Sequence, residues 1–143
     1  MSHSDAKKYP LEFFNKSKKA IGGQIKVEVD GVEHTFPVSH AEVRANDIVL
    51  DFDMSGGDPS FNHFIGVVIK KTFLNQKVEF VGDGEPVYFL FQNSGQEWLP
   101  TSGWIRVEWQ EGSKNITGLL DNVQSDREGN SKLTRGKFEV TLA

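Results

Sequence analysis

The sequence predicts an all-β domain, a single-domain antiparallel β-sandwich or closed β-barrel of about 8–10 strands behind a short basic N-terminal leader. Three observations predict it: runs in which apolar and polar residues alternate, an aromatic set of eleven Phe, three Trp and two Tyr against two Met, and fourteen Gly spread along 143 residues. Alternation is the mark of a pleated strand, whose side chains point to opposite faces in turn. Aromatic and β-branched side chains fill the pleat, and glycines supply the frequent turns. A chain of this length buries one core, so residues 1–23 are assigned to the leader and 24–143 to a single all-β domain.

Residues 1–20 carry five Lys against Asp5 and Glu12, a charge of +3, which leaves −7 on the body within a total of −4. Inside this leader, PLEFFNKSKKAI reads in either of two ways. One is an amphipathic helix with Pro10 in its first turn and Leu11, Phe14, and Ala20 or Ile21 facing the body; the other is an extended arm that docks Phe13 and Phe14 onto the sheet. The next segment, QIKVEV-DG-VEHTFP, is two alternating runs around Asp30-Gly31, the preferred two-residue turn of a tight hairpin. That loop length sets Val29 opposite Val32, Val27 opposite His34 and Ile25 opposite Phe36 on one face, and turns Lys26, Glu28, Glu33 and Thr35 to water. IVLDFDM alternates Ile48, Leu50, Phe52 and Met54 with Val49, Asp51 and Asp53, which predicts a strand with one wet face. FIGVVI, KVEFV, VYFLFQ, WIRVEW, ITGLLDNV and GKFEVTL follow as short strands bounded by turn-forming residues. FIGVVI and VYFLFQ are apolar on both faces, as interior strands covered on each side must be, unless another partner covers the second face.

The composition narrows the function classes. The acidic balance argues against nucleic acid as a partner. With no Cys in the chain, disulfides, thiolate catalysis and Cys-based zinc sites are excluded. The start, MSHSDAKKYPLEFF, lacks the apolar run of a secretory signal, and no run of apolar residues is long enough for a membrane helix. A cytoplasmic residence is therefore the expectation, with non-classical secretion as its alternative. No phosphate-binding glycine motif and no nucleophile motif is present, so no cofactor is expected.

At the carboxyl end, ITGLLDNVQSDREGNSKLTRGKFEVTL resembles the last hairpin of small bacterial all-β domains of uncharacterised function, and VEHTFPVSHAEVRANDIVLDF resembles their opening meander. The resemblance spans about Gln24 to Leu142 and implies the fold; it supplies no catalytic residues to transfer.

Among polar constellations, Asp51, Asp53, Ser55 and Asp58 in DFDMSGGD resemble the start of a calcium loop, with Gly56 at the sixth position. The twelfth position holds Asn62 where a bidentate Glu is needed. The alternation with Leu50 and Phe52 makes Asp51 and Asp53 the solvated face of a strand, and no metal is expected beyond these candidates and His63. The remaining histidines, His3, His34 and His40, show no zinc-ligand spacing. His34, on the apolar face of the hairpin, reads as a core histidine with hydrogen-bonded ring nitrogens.

The aromatic cluster is the better candidate. If Ile105, Val107 and Trp109 face the core, then Trp104, Arg106 and Glu108 face outward. Trp104 would then lie near a loop with Trp98, Gln96, Glu97 and Asn93, and near Tyr88. Flat rings beside amide, carboxyl and guanidinium groups suit a sugar or a protein partner. A competing reading folds the leader or a loop over Trp98 and Trp104 as a satellite core. The expectation is a non-enzymatic binding module for carbohydrate or a protein partner. Its alternatives are a barrel holding a small hydrophobic molecule, a glycosidase-like enzyme using paired carboxylates, with Asp51 or Asp53 beside His63 as its candidates, and a structural, oligomeric domain.

Overall fold

The computed structural model describes residues 22–53, 63–93 and 95–143. Its first hairpin joins β1 (Gly22–Val29) to β2 (Val32–Val43) in the register a two-residue turn dictates, with Val29 opposite Val32, Val27 opposite His34 and Ile25 opposite Phe36. Both turn residues take positive φ, 52° at Asp30 and 85° at Gly31, as a type I′ turn requires. Ile25, Val27, Val29 and Phe36 are buried, while Lys26, Glu33 and Thr35 are exposed.

β3 (Asp47–Asp53), β4 (Phe64–Lys70), β5 (Lys77–Glu79), β6 (Tyr88–Asn93), β7 (Gln96–Trp98), β8 (Ser102–Glu108), β9 (Asn115–Gln124) and β10 (Leu133–Thr141) complete one antiparallel sheet. Its order is β5-β8-β9-β10-β1-β2-β3-β4-β6-β7, and it curls into a half-barrel. β2 is the corner. Its first half pairs with β1; from Val38 on, its second half pairs with β3, across a bulge between Val38 and His40. A bulge bends a strand and increases its twist, which is how one strand serves both halves. The curl brings distant strands together: the Phe52 and Phe138 rings lie 5.6 Å apart across the interior, and Phe80 and Phe89, from opposite ends of the sheet, 5.5 Å apart. The free edges, β5 and β7, are three residues each. Short edges limit pairing with other chains. β7 falls where the sequence predicts a loop, because a three-residue strand is too short for alternation to register.

β4 and β6 are covered on both faces, as their doubly apolar sequences predict; residues 64–69 are buried without interruption. Beside the main core, Val49, Phe64, Val68, Tyr88, Leu90 and Leu99 form a second buried cluster on the other face. This corrects the reading of β3. Asp51, expected on a solvated face, has no exposure at all, because it shares that second face with the apolar outer residues of β4 and β6. Residues 1–21 and 54–62 lie outside the described residues, and with them the helix-or-arm alternative and the Ser55 and Asp58 part of the calcium-loop candidate; Gly22 and Gly23, assigned to the leader, open β1. Among the described residues, no helix is long and apolar enough to cross a membrane.

Candidate functional site

β8 sorts its side chains as alternation requires. Ile105, Val107 and Trp109 are buried, whereas Trp104, Arg106 and Glu108 lie half-buried on the outer face. On one side β5 sets Lys77 opposite Arg106 and Glu79 opposite Trp104; on the other β9 sets Leu119 opposite Arg106 and Asp121 opposite Trp104. Lys77 Nζ stands 4.9 Å from the centroid of the Trp104 ring, within range of a cation–π contact. Arg106 Nε donates to Glu108 Oε2, and Arg106 Nη2 donates to the Asn75 carbonyl at 3.3 Å.

The support beneath this face is rigid. Asn75 Nδ2 donates to the Trp109 carbonyl and the Trp109 amide donates back to Asn75 Oδ1, both at 3.0 Å, so one side chain closes two main-chain hydrogen bonds at the end of β8. The Trp109 indole donates to the Ser113 carbonyl at 3.0 Å, and Lys71 Nζ lies 5.1 Å from its ring centroid.

The structure does not bring all the sequence-predicted residues together. Trp104 and Arg106 share the outer face of β8. Trp98 points into the core from β7, 5% exposed, with its ring 5.1 Å from that of Phe91. Its indole donates to Gln96 Oε1 at 3.1 Å. Gln96 also donates to Ser131 Oγ at 3.2 Å and accepts from the Ser131 amide at 2.8 Å, tying the β7 edge to the segment before β10. Glu97 is exposed and accepts from Gln92 at 3.2 Å. Tyr88 is buried in the second apolar cluster. Parity on β8 was legible in the sequence; the inward turn of Trp98 depends on its pairing with Phe91, which joins an edge strand to β6.

Asp51 occupies a different place. It stands opposite His40 on β2 and Gly66 on β4, and its carbonyl accepts from Ser39 Oγ at 3.4 Å. Among the described residues, neither of its carboxylate oxygens has a hydrogen-bond partner. Burial pushes its carboxyl up from 3.8 to about 8; the Ser39 hydroxyl opposes this, and the Asp53 carboxylate adds to it. Near pH 7 the group is chiefly protonated. Asp53 is partly buried two residues along the same face, and His63, also partly buried, immediately precedes β4. His40, 1% exposed, has Nε2 3.6 Å from Glu42 Oε1. Among the described residues, no three His, Asp or Glu side chains are grouped to hold a metal ion.

Sequence reasoning missed Lys77, Leu119, Lys137 and Lys26 on the outer face. Each reads as an ordinary solvent-facing residue within its own strand. Only the pairing of strands distant in sequence makes them neighbours. Comparison with protein-family models, curated proteins and solved structures returns no match.

Proposed function

We propose that the chain is a non-enzymatic carbohydrate-binding module whose ligand lies on the outer face of β5, β8 and β9, around Trp104 and Arg106. The observation that carries this reading is the half-exposed position of Trp104, while Trp98 and Trp109 are built into the core. The Trp104 indole carries Lys77 over its ring, so a sugar ring that stacks on that face displaces the ammonium, and Glu79, Asp121, Lys77 and Arg106 around it offer partners for hydroxyl groups. Strand-borne side chains are well ordered before binding, which lowers the entropic cost of association. The interior favours a surface site over an internal cavity, since Phe36, Phe52, Phe89, Phe91 and Phe138 all fill it as fully buried side chains.

Titration with oligosaccharides, followed by tryptophan emission and backbone amide shifts, tests the proposal. Shifts are expected to centre on residues 77–79, 104–108 and 117–121. Trp104→Ala is expected to weaken binding at least tenfold, about 1.4 kcal/mol, with little change in melting temperature because the ring lies outside the core. Shifts centred elsewhere, or unchanged affinity in the variant, would overturn this reading. Binding of a protein partner and of no glycan would replace it with the protein-binding alternative.

A further inference from the structure

The pairings across the first half of the sheet align one outward residue from each of five strands. Lys77 on β5 faces Arg106 on β8, Arg106 faces Leu119 on β9, Leu119 faces Lys137 on β10, and Lys137 faces Lys26 on β1. The result is a cross-strand row of four cations interrupted by one apolar side chain, on a protein whose net charge is −4. Lys77, Leu119, Lys137 and Lys26 are exposed and Arg106 is half-buried.

Two features set this row apart from a merely solvated surface. Lys26 and Lys137 stand directly opposite each other on neighbouring strands. Like charges in that position destabilise a sheet, and a local conflict of this kind marks a place where something other than stability shapes the surface. The second feature is a depression of about 190 Å³ at the same spot, lined by Gln24, Lys26, Lys137, Phe138 and Glu139. A concavity beside two like charges suits an anionic group that relieves their repulsion.

Carboxylates flank the row on both sides. Glu108 and Glu139 border one side, and Glu79 and Asp121 the other. A dense polyanion wide enough to overlap these borders would be repelled, whereas a thin chain with spaced negative charges follows the row and donates its hydroxyls to the bordering carboxylates. Strands lie about 4.8 Å apart, a spacing close to that of successive pyranose rings in an extended glycan. Leu119 and Trp104 supply apolar contacts for the ring faces along the path.

Resting on the carbohydrate-binding reading, we propose that the ligand is an acidic glycan, carrying uronate or sulfate groups, laid across the strands along Lys77, Arg106, Leu119, Lys137 and Lys26. Its negative charges pair with Lys137 and Lys26, while Arg106 keeps its pairing with Glu108, and Trp104 stacks beside it.

The test compares a 1,4-linked oligouronate, its methyl-esterified neutral form, a sulfated oligosaccharide, polyglutamate and single-stranded DNA as ligands of the full chain. The expected result is binding of the oligouronate or the sulfated glycan, weakening as salt is raised, at least tenfold tighter than the neutral ester. Amide shifts should extend from β8 to β1. Which acidic glycan binds identifies the anion, carboxylate or sulfate. Lys26→Gln with Lys137→Gln, a pair that relieves a repulsion and should fold at least as well, is expected to weaken the acidic glycan tenfold or more and to leave the neutral ester unchanged. Equal binding of acidic and neutral glycans at Trp104, or no effect of the double variant, would overturn the acidic-glycan proposal and leave the carbohydrate reading standing. Preferential binding of polyglutamate or DNA, or binding of none of the five, would overturn both.

Discussion

Asp51→Asn is expected to stabilise the protein at neutral pH and to flatten its stability between about pH 4 and pH 8, because burial holds the Asp51 carboxyl at about 8 in the folded state against 3.8 in the ordinary one. The sign follows from proton counting. Between those two values the folded protein keeps a proton that the unfolded chain releases, so stability is fully present below the lower value, falls as pH rises, and levels off above the higher. At pH 7 the loss amounts to at most roughly 4 kcal/mol, since each pKa unit is worth about 1.4 kcal/mol. Asn matches the protonated carboxyl in shape and donor capacity but has no proton to lose. Among the described residues, the charged or titratable groups that β2 and β3 place on this face are His40, Glu42, Asp47 and Asp53. β4 contributes Phe64, Gly66, Val68 and the charged Lys70 to this face, β6 contributes Tyr88, Leu90 and Gln92, and His63 precedes β4. Thermal or urea unfolding of both proteins at pH 5 and pH 8 is the measurement. A variant with the same slope as the parent, or one less stable at both values, would remove Asp51 as the source.

Phe138→Ala is expected to cost about 4 kcal/mol, within the range for a buried Phe cut back to Ala. Phe138 is 1% exposed and joins the two halves of the sheet, since its ring on β10 meets Phe52 on β3. Gly118 on β9 makes room for it; a Cβ there would stand 2.1 Å from the Phe138 ring. The cavity left by the ring adds to the lost burial, by an amount that falls as the surrounding side chains close into it. The urea midpoint should fall with the slope of the transition unchanged. A loss under about 1 kcal/mol would mean that the two halves are held together elsewhere.

Neither effect was fully legible in the sequence. GKFEVTL reads as a strand, but the neighbour of Phe138 across the core is known only once the curl sets β10 near β3. Asp51 was misjudged for the same reason: its own strand alternates as a half-exposed strand does, and its burial depends on what β4 and β6 place beside it. Of the candidate site, Trp104 and Arg106 followed from parity alone. Trp98 and Tyr88 did not join them, because their directions are set by strands paired at the far end of the sheet.

The sequence by itself determined the strand content apart from β7, the first hairpin and its register, the doubly covered strands β4 and β6, and which side of β8 faces out. These are short-range properties, governed by a two-residue pleat and by turn geometry within a few residues. The tertiary structure alone decided that the sheet curls into a half-barrel, that Asp51 is buried, and that four cations from strands more than a hundred residues apart at the extremes stand in one row. Those features arise from pairings between non-consecutive strands, such as β1 with β10 and β5 with β8. Such pairings depend on how the whole chain closes over its core, and local alternation carries no record of them.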